Sequence, residues 1–172
     1  MALSDFDLVF FGGSGDLAMR KLLPAMYSRD VCGDLPESAR IICVGLDDLT
    51  QEQFLRFVET NSKPHIKETP QEANWQRFLG RISYVALNAT DVRTYEKLVA
   101  ALRDDAALTR VYYLATPPQL FAKICDNLAS AGLATPNSRV VLEKPLGRDL
   151  ASARKINLDV GKVFAESQIY RI

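Results

Sequence analysis

The sequence predicts an α/β fold built on a mainly parallel, doubly wound sheet with helices on both faces. Three observations point there: short apolar or β-branched runs alternate with amphipathic stretches, the runs are apolar nearly throughout, and the alternation persists along the 172 residues. Near-continuous apolar strands are covered on both faces, as parallel strands joined by right-handed helical crossovers are.

Taken in order, strands are expected at 8–11, 40–44, 82–85, 110–114 and 139–142. Helices are expected at 16–29, 50–61, 70–79, 91–105, 119–131 and 150–164, a βαβα order. Thr50 with Gln53 forms a capping box, and Pro118 stands where a first-turn proline costs no hydrogen bond. Pro24 falls inside the first helix, where it removes a backbone bond, so a kink is expected near Lys21. The polar stretch 61–75, with Pro64 and Pro70, is expected to be a loop or irregular insertion.

The length suits one domain with a substantial core, so residues 1–172 are expected to form a single domain. Lys plus Arg and Asp plus Glu both total 21, so no net field recruits nucleic acid or an anionic membrane. Cys32, Cys43 and Cys125 are odd in number and widely spaced, which argues against a disulfide framework and a zinc site and fits a reducing cytoplasm. The N-terminus lacks a basic leader, and the apolar run at 8–11 is too short for export or a membrane span. With His65 as the single histidine, the chain is poor in the commonest general base and metal ligand.

The strongest chemical signal is Phe10-Phe-Gly-Gly-Ser-Gly-Asp-Leu-Ala18, a strand running into glycines and then a helix. Gly13, Gly15 and Ala18 satisfy G-x-G-x-x-A: one glycine turns the chain, one lets backbone approach a pyrophosphate, and Ala18 permits close helix packing. A glycine turn can merely connect strand to helix. Placed after the first strand of a βαβ unit, this one reads instead as a Rossmann-like dinucleotide site, with the helix amides and dipole facing the phosphates. Asp16 reads as an N-terminal cap or dipole partner and is given no catalytic role.

The run Gly12-Gly-Ser-Gly-Asp-Leu-Ala-Met-Arg-Lys-Leu-Leu-Pro24 resembles the opening motif of glucose-6-phosphate dehydrogenases, G-x-x-G-D-L-A-x-R-K-L-x-P. Tyr112-Tyr-Leu-Ala-Thr-Pro-Pro118, Val140-Val-Leu-Glu-Lys-Pro-Leu-Gly147 and the closing Gln168-Ile-Tyr-Arg-Ile172 agree with the same family. In that family the last run continues into Asp-His-Tyr-Leu-Gly-Lys, so the chain is expected to be a fragment that stops within a motif.

The resemblance implies that Gly12, Gly13, Ser14, Gly15, Asp16, Leu17, Ala18, Arg20 and Lys21 hold the coenzyme phosphates. It further implies that Tyr113 and its neighbours lie along the coenzyme, that Lys144 reaches both the coenzyme and the sugar phosphate, and that Lys21 is a second cation near the reacting centre, at the substrate. Glu-Lys-Pro at a strand end sits where open α/β sheets bind ligands, and the bond to Pro145 is a candidate for the cis form. Arg20 reads equally as a solvated helix face. Asn88 and Ala89, after the third strand, are candidates for main-chain contact with the adenosine half.

The resemblance implies NADP as coenzyme. Family members commonly carry an arginine around Leu46, whereas this sequence has Leu46 followed by Asp47 and Asp48. A carboxylate repels a 2′-phosphate, so either Arg20 or another base compensates or NAD is accepted too.

The implied reaction oxidises glucose 6-phosphate to 6-phosphogluconolactone, with a histidine as base, in a homo-oligomeric parent enzyme. His65 does not match that histidine, so no catalytic residue is expected within the chain, and a second domain is expected to supply it. Surface that packs on that domain is expected to be apolar. Two other readings compete. A glucose-fructose oxidoreductase-type domain shares Glu-Lys-Pro but not the Gly-Asp-Leu-Ala-x-Arg-Lys-Leu run, and a non-catalytic redox sensor is disfavoured by the neutral charge.

Overall fold

The structure, a computed structural model, describes residues 4–105 and 107–172; the first three residues and Ala106 lie outside them. Six strands, β1 Phe6–Phe11, β2 Arg40–Gly45, β3 Ile82–Ala86, β4 Thr109–Leu114, β5 Ser138–Leu142 and β6 Ile169–Arg171, pair in parallel in the order β3-β2-β1-β4-β5-β6. Phe11 pairs with Val44 on one side and Leu114 on the other, so the order reverses at β1 and the chain leaves β1 and β4 in opposite directions.

Side chains alternate across the sheet. Leu8, Phe10, Ile41 and Cys43 face one layer with α1 Leu23–Val31, α2 Gln51–Asn61 and α3 Glu72–Leu79, where Tyr27, Phe54, Trp75 and Phe78 are buried. Val9, Phe11, Tyr112 and Val140 face the other, with α4 Tyr95–Ala101, α5 Phe121–Ser130 and α6 Leu150–Gly161. The expected doubly wound α/β fold is therefore present. Val111, Tyr113 and Val141 are only half-buried and Tyr170 is exposed. Val111 and Tyr113 pack at the margin of the layer formed by α1, α2 and α3.

Several elements differ from their sequence patterns for identifiable reasons. The expected kink takes the form of a π-helical turn at Ala18–Leu22, which lets Pro24 enter as one of the first residues of α1. The helix expected over 91–105 is a 3-10 turn at Val92–Thr94 followed by α4, which stops at Ala101. It stops because Arg103 turns inward and donates to Asp7 Oδ1 from Nε at 3.1 Å and Nη2 at 2.7 Å.

Within the expected insertion 61–75, Lys63–His65 forms a 3-10 turn and α3 begins at Glu72, placing Trp75 in the core. The helix expected to 164 ends at Gly161, and Phe164 closes the following turn by donating its amide to Val160. Strand β6, absent from the sequence expectation, is three residues long and is aligned by Gln168, whose Nε2 donates to Thr135 O at 2.9 Å and Ser138 O at 2.8 Å.

Candidate dinucleotide-binding site

The chain turns sharply after β1 because Gly12 takes φ +80°, in the left-handed region that only glycine enters freely. Its amide and that of Gly13 both donate to Val44 O, at 3.0 and 2.8 Å, clamping the turn onto β2. A Cβ on Gly13 would lie 2.6 Å from Cys43 Cβ and 2.7 Å from Cys43 Cα, and one on Gly12 would strike Ala115 O. Glycine is thus required at both positions by contact with the two strands flanking β1.

The turn is closed by Gly15 N donating to Gly12 O at 2.9 Å, and the helix begins with Met19 N donating to Gly15 O at 3.0 Å. That leaves the amides of Ser14, Asp16 and Leu17 without a partner among the described residues. Free amides at a helix N-terminus, backed by its dipole, are suited to a phosphate. The residues present therefore fit a dinucleotide pyrophosphate, with a glycine cradle that any Cβ would fill.

This turn forms one wall of a cleft of about 380 Å³ at the carboxyl edge of the sheet, over the point where strand order reverses. Of the residues expected at the coenzyme, Gly12, Ser14, Gly15, Leu46, Asp47, Asn88 and Ala89 line it. Gly13 and Ala18 are buried behind it, and Leu17 is half-buried. Asp16 and Arg20 line a neighbouring groove that shares Ser14, and their side chains pair at 3.5 Å. Asp16 sits in the first helical turn, and no side-chain hydrogen bond caps that helix.

Other expected site residues lie outside the cleft. Tyr113 packs edge-on against Phe10 at 5.7 Å, two residues before the cleft wall. Lys21 is exposed on a separate groove with Pro24, Ser28 and Ile66. Lys144 is exposed beyond β5; its amide donates to Ile172 O at 2.9 Å, and the Lys144–Pro145 bond is cis.

The wall from β4 consists of Ala115, Thr116 and Pro117, the neighbours that follow Tyr113 in the Tyr-Tyr-Leu-Ala-Thr-Pro-Pro run. Thr116 Oγ1 is buried there without a hydrogen-bond partner among the described residues, leaving a hydroxyl free for a ligand. The signal was in the Thr-Pro-Pro sequence itself, since it marks where β4 ends. Opposite, Asn88 Oδ1 accepts from Thr90 N at 3.0 Å, and Ala89 O is already occupied by Tyr95 Oη and Asn127 Nδ2, each at 2.9 Å.

A larger hollow of about 830 Å³ lies at the opposite end of the strands, beside Phe6, Leu8, Met26 and Val111. Its Arg29 and Asp34 pair with each other at 2.9 Å, and it has no glycine turn opening a helix. The convergent polar groups are in the smaller cleft.

Comparison with known proteins agrees with this geometry. Residues 9–172 match the family described as glucose-6-phosphate dehydrogenase, NAD binding domain. The chain is 42% identical to a glucose-6-phosphate 1-dehydrogenase of Rhizobium meliloti (strain 1021), over 97% of this chain and 34% of the relative. A crystal structure of glucose-6-phosphate 1-dehydrogenase from Mycobacterium avium superposes with a TM-score of 0.88 at 38% identity, covering 97% of this chain and 35% of that one. A glucose-6-phosphate dehydrogenase in complex with its substrate glucose-6-phosphate superposes with a TM-score of 0.85 at 29% identity, covering 99% and 36%. The chain thus spans about a third of the length of these relatives, and it belongs to the family of glucose-6-phosphate dehydrogenase NAD binding domains.

Proposed function

We propose that this chain is the coenzyme-binding part of a cytoplasmic, homo-oligomeric oxidoreductase that converts glucose 6-phosphate to 6-phosphogluconolactone, the opening step of the pentose phosphate pathway. The observation that carries the reading is the glycine cradle beneath unpartnered helix amides, set at the strand-order reversal of a chain in this family. A nicotinamide dinucleotide, NADP or NAD, supplies the hydride acceptor when bound.

The chain's own residues bind and orient. Amides of Ser14, Asp16 and Leu17 receive the pyrophosphate, Thr116 Oγ1 offers a hydrogen bond, and Ala115 and Pro117 close the wall toward β4. Lys144, at the carboxyl edge beside the end of β6, and Lys21 are assigned to the sugar phosphate by the family pattern. His65 faces the grooves outside the cleft, so we place the proton-abstracting base outside this chain.

The purified chain is expected to bind coenzyme without sustained reduction of it when glucose 6-phosphate is added. Sustained turnover would contradict the placement of the base. The longer gene product containing this chain is expected to reduce coenzyme with glucose 6-phosphate and not with glucose; bound coenzyme without that activity would overturn the substrate assignment.

A further inference from the structure

The residues following β2 surround the place where an adenosine ribose lies in clefts of this architecture, and here they are fixed tightly. Asp47 O accepts from Tyr84 Oη at 2.7 Å and from Leu49 N at 2.9 Å. A Cβ on Gly45 would lie 2.7 Å from both Ser14 Oγ and Tyr84 Oη, so the phosphate turn, β2 and β3 meet at that residue. Burial, followed by the charge on Asp47, pushes the Tyr84 phenol up to about 12, so it remains a donor at neutral pH.

Held this way, the Asp47 carboxylate stands 3.4 Å from Ser14 Oγ at the junction of the cleft and the neighbouring groove. Leu46, in the same wall, is 75% exposed and offers an apolar surface without charge. The groove beyond Ser14 contains Arg20 and His65, but Arg20 Nη1 already has Asp16 Oδ1 at 3.5 Å. The residues at the end of the second strand therefore present an anion and an apolar side chain.

A carboxylate at this point accepts hydrogen bonds from the ribose hydroxyls, and an arginine is what accommodates a 2′-phosphate. Resting on the coenzyme reading above, we infer that Asp47 makes this cleft selective for NAD over NADP, by accepting from the ribose 2′-hydroxyl and repelling the 2′-phosphate. Leu46, beside Asp47 in the same wall, carries no charge that would offset the repulsion.

Calorimetric titration of the chain with NAD and with NADP tests this. NAD is expected to bind at least about tenfold more tightly, a difference of roughly 1.4 kcal/mol. Asp47→Ser is expected to weaken NAD and strengthen NADP, and Leu46→Arg combined with Asp47→Ser to invert the order. NADP binding as tight as NAD, or tighter, overturns the inference while leaving the cleft a coenzyme site. Binding of neither dinucleotide overturns the coenzyme reading and this inference with it.

Discussion

Gly13→Ala is expected to lower coenzyme affinity at least tenfold and to destabilise the fold by about 2–3 kcal/mol, the upper part of the usual range for overpacking a filled site. The added Cβ meets Cys43 Cβ at 2.6 Å, Cys43 Cα at 2.7 Å and Val44 N at 2.9 Å. Two of those atoms are backbone of a central strand, so the turn must move. Moving it breaks the paired bonds to Val44 O and displaces the free amides of Ser14, Asp16 and Leu17 together. A thermal melt should fall by roughly 5–10 °C for a domain of this size. Gly161→Ala, where a Cβ meets nothing within 4 Å, serves as control and is expected to leave affinity unchanged. Equal melting and equal affinity for Gly13→Ala would mean that the turn is not clamped as described.

Asp7→Asn is expected to destabilise the chain by about 3 kcal/mol, as removal of one partner from a buried ion cluster does. Asp7 is fully buried, and Arg40 donates to it from Nε at 3.0 Å and Nη2 at 2.9 Å while Arg103 donates on its other side. Asparagine would set an amide donor against guanidinium donors and leave two cations facing each other. Both arginines reach solvent in part, which keeps the expected loss near the low end of the range.

The same cluster fixes the direction of the pH dependence. Burial raises the affinity of Asp7 for a proton, but the hydrogen bonds from Arg40 and Arg103 outweigh it and hold the carboxyl below the ordinary range. Its stabilisation is therefore complete above the unfolded value of about 4 and is lost as pH falls through the lower folded value. Acid unfolding followed by circular dichroism should be less steep for Asp7→Asn than for the unsubstituted chain. Parallel acid curves would remove Asp7 as a source of that dependence. The cluster lies at the amino ends of β1 and β2, opposite the cleft, so coenzyme affinity of the folded variant should be unchanged.

Strands β1 to β5 and the phosphate turn were legible because apolar runs and glycines act locally: a glycine pattern after an apolar run admits few backbone paths. Asp7 was not, since an acidic residue at the start of a strand looks solvent-facing until Arg40 and Arg103, 33 and 96 positions away, are brought to it. The early end of α4 was hidden for the same reason. Strand β6 has only three residues, and its evidence is its register against Val140, Val141 and Leu142, which is a tertiary fact. The cleft wall at Ala115, Thr116 and Pro117 lies in the Tyr-Tyr-Leu-Ala-Thr-Pro-Pro run, but strand alternation turns Tyr113 against Phe10, before the wall begins.

The claim on which the rest depends is that the main-chain amides after β1 receive the coenzyme phosphates. Amide chemical shifts of the isotopically labelled chain during titration with NAD and NADP measure this residue by residue. The account predicts that Ser14, Asp16 and Leu17 move most, with Leu46, Asp47 and Thr116 following. Shifts confined to Met26, Leu35 and Val111, around the hollow at the other end of the strands, would contradict it.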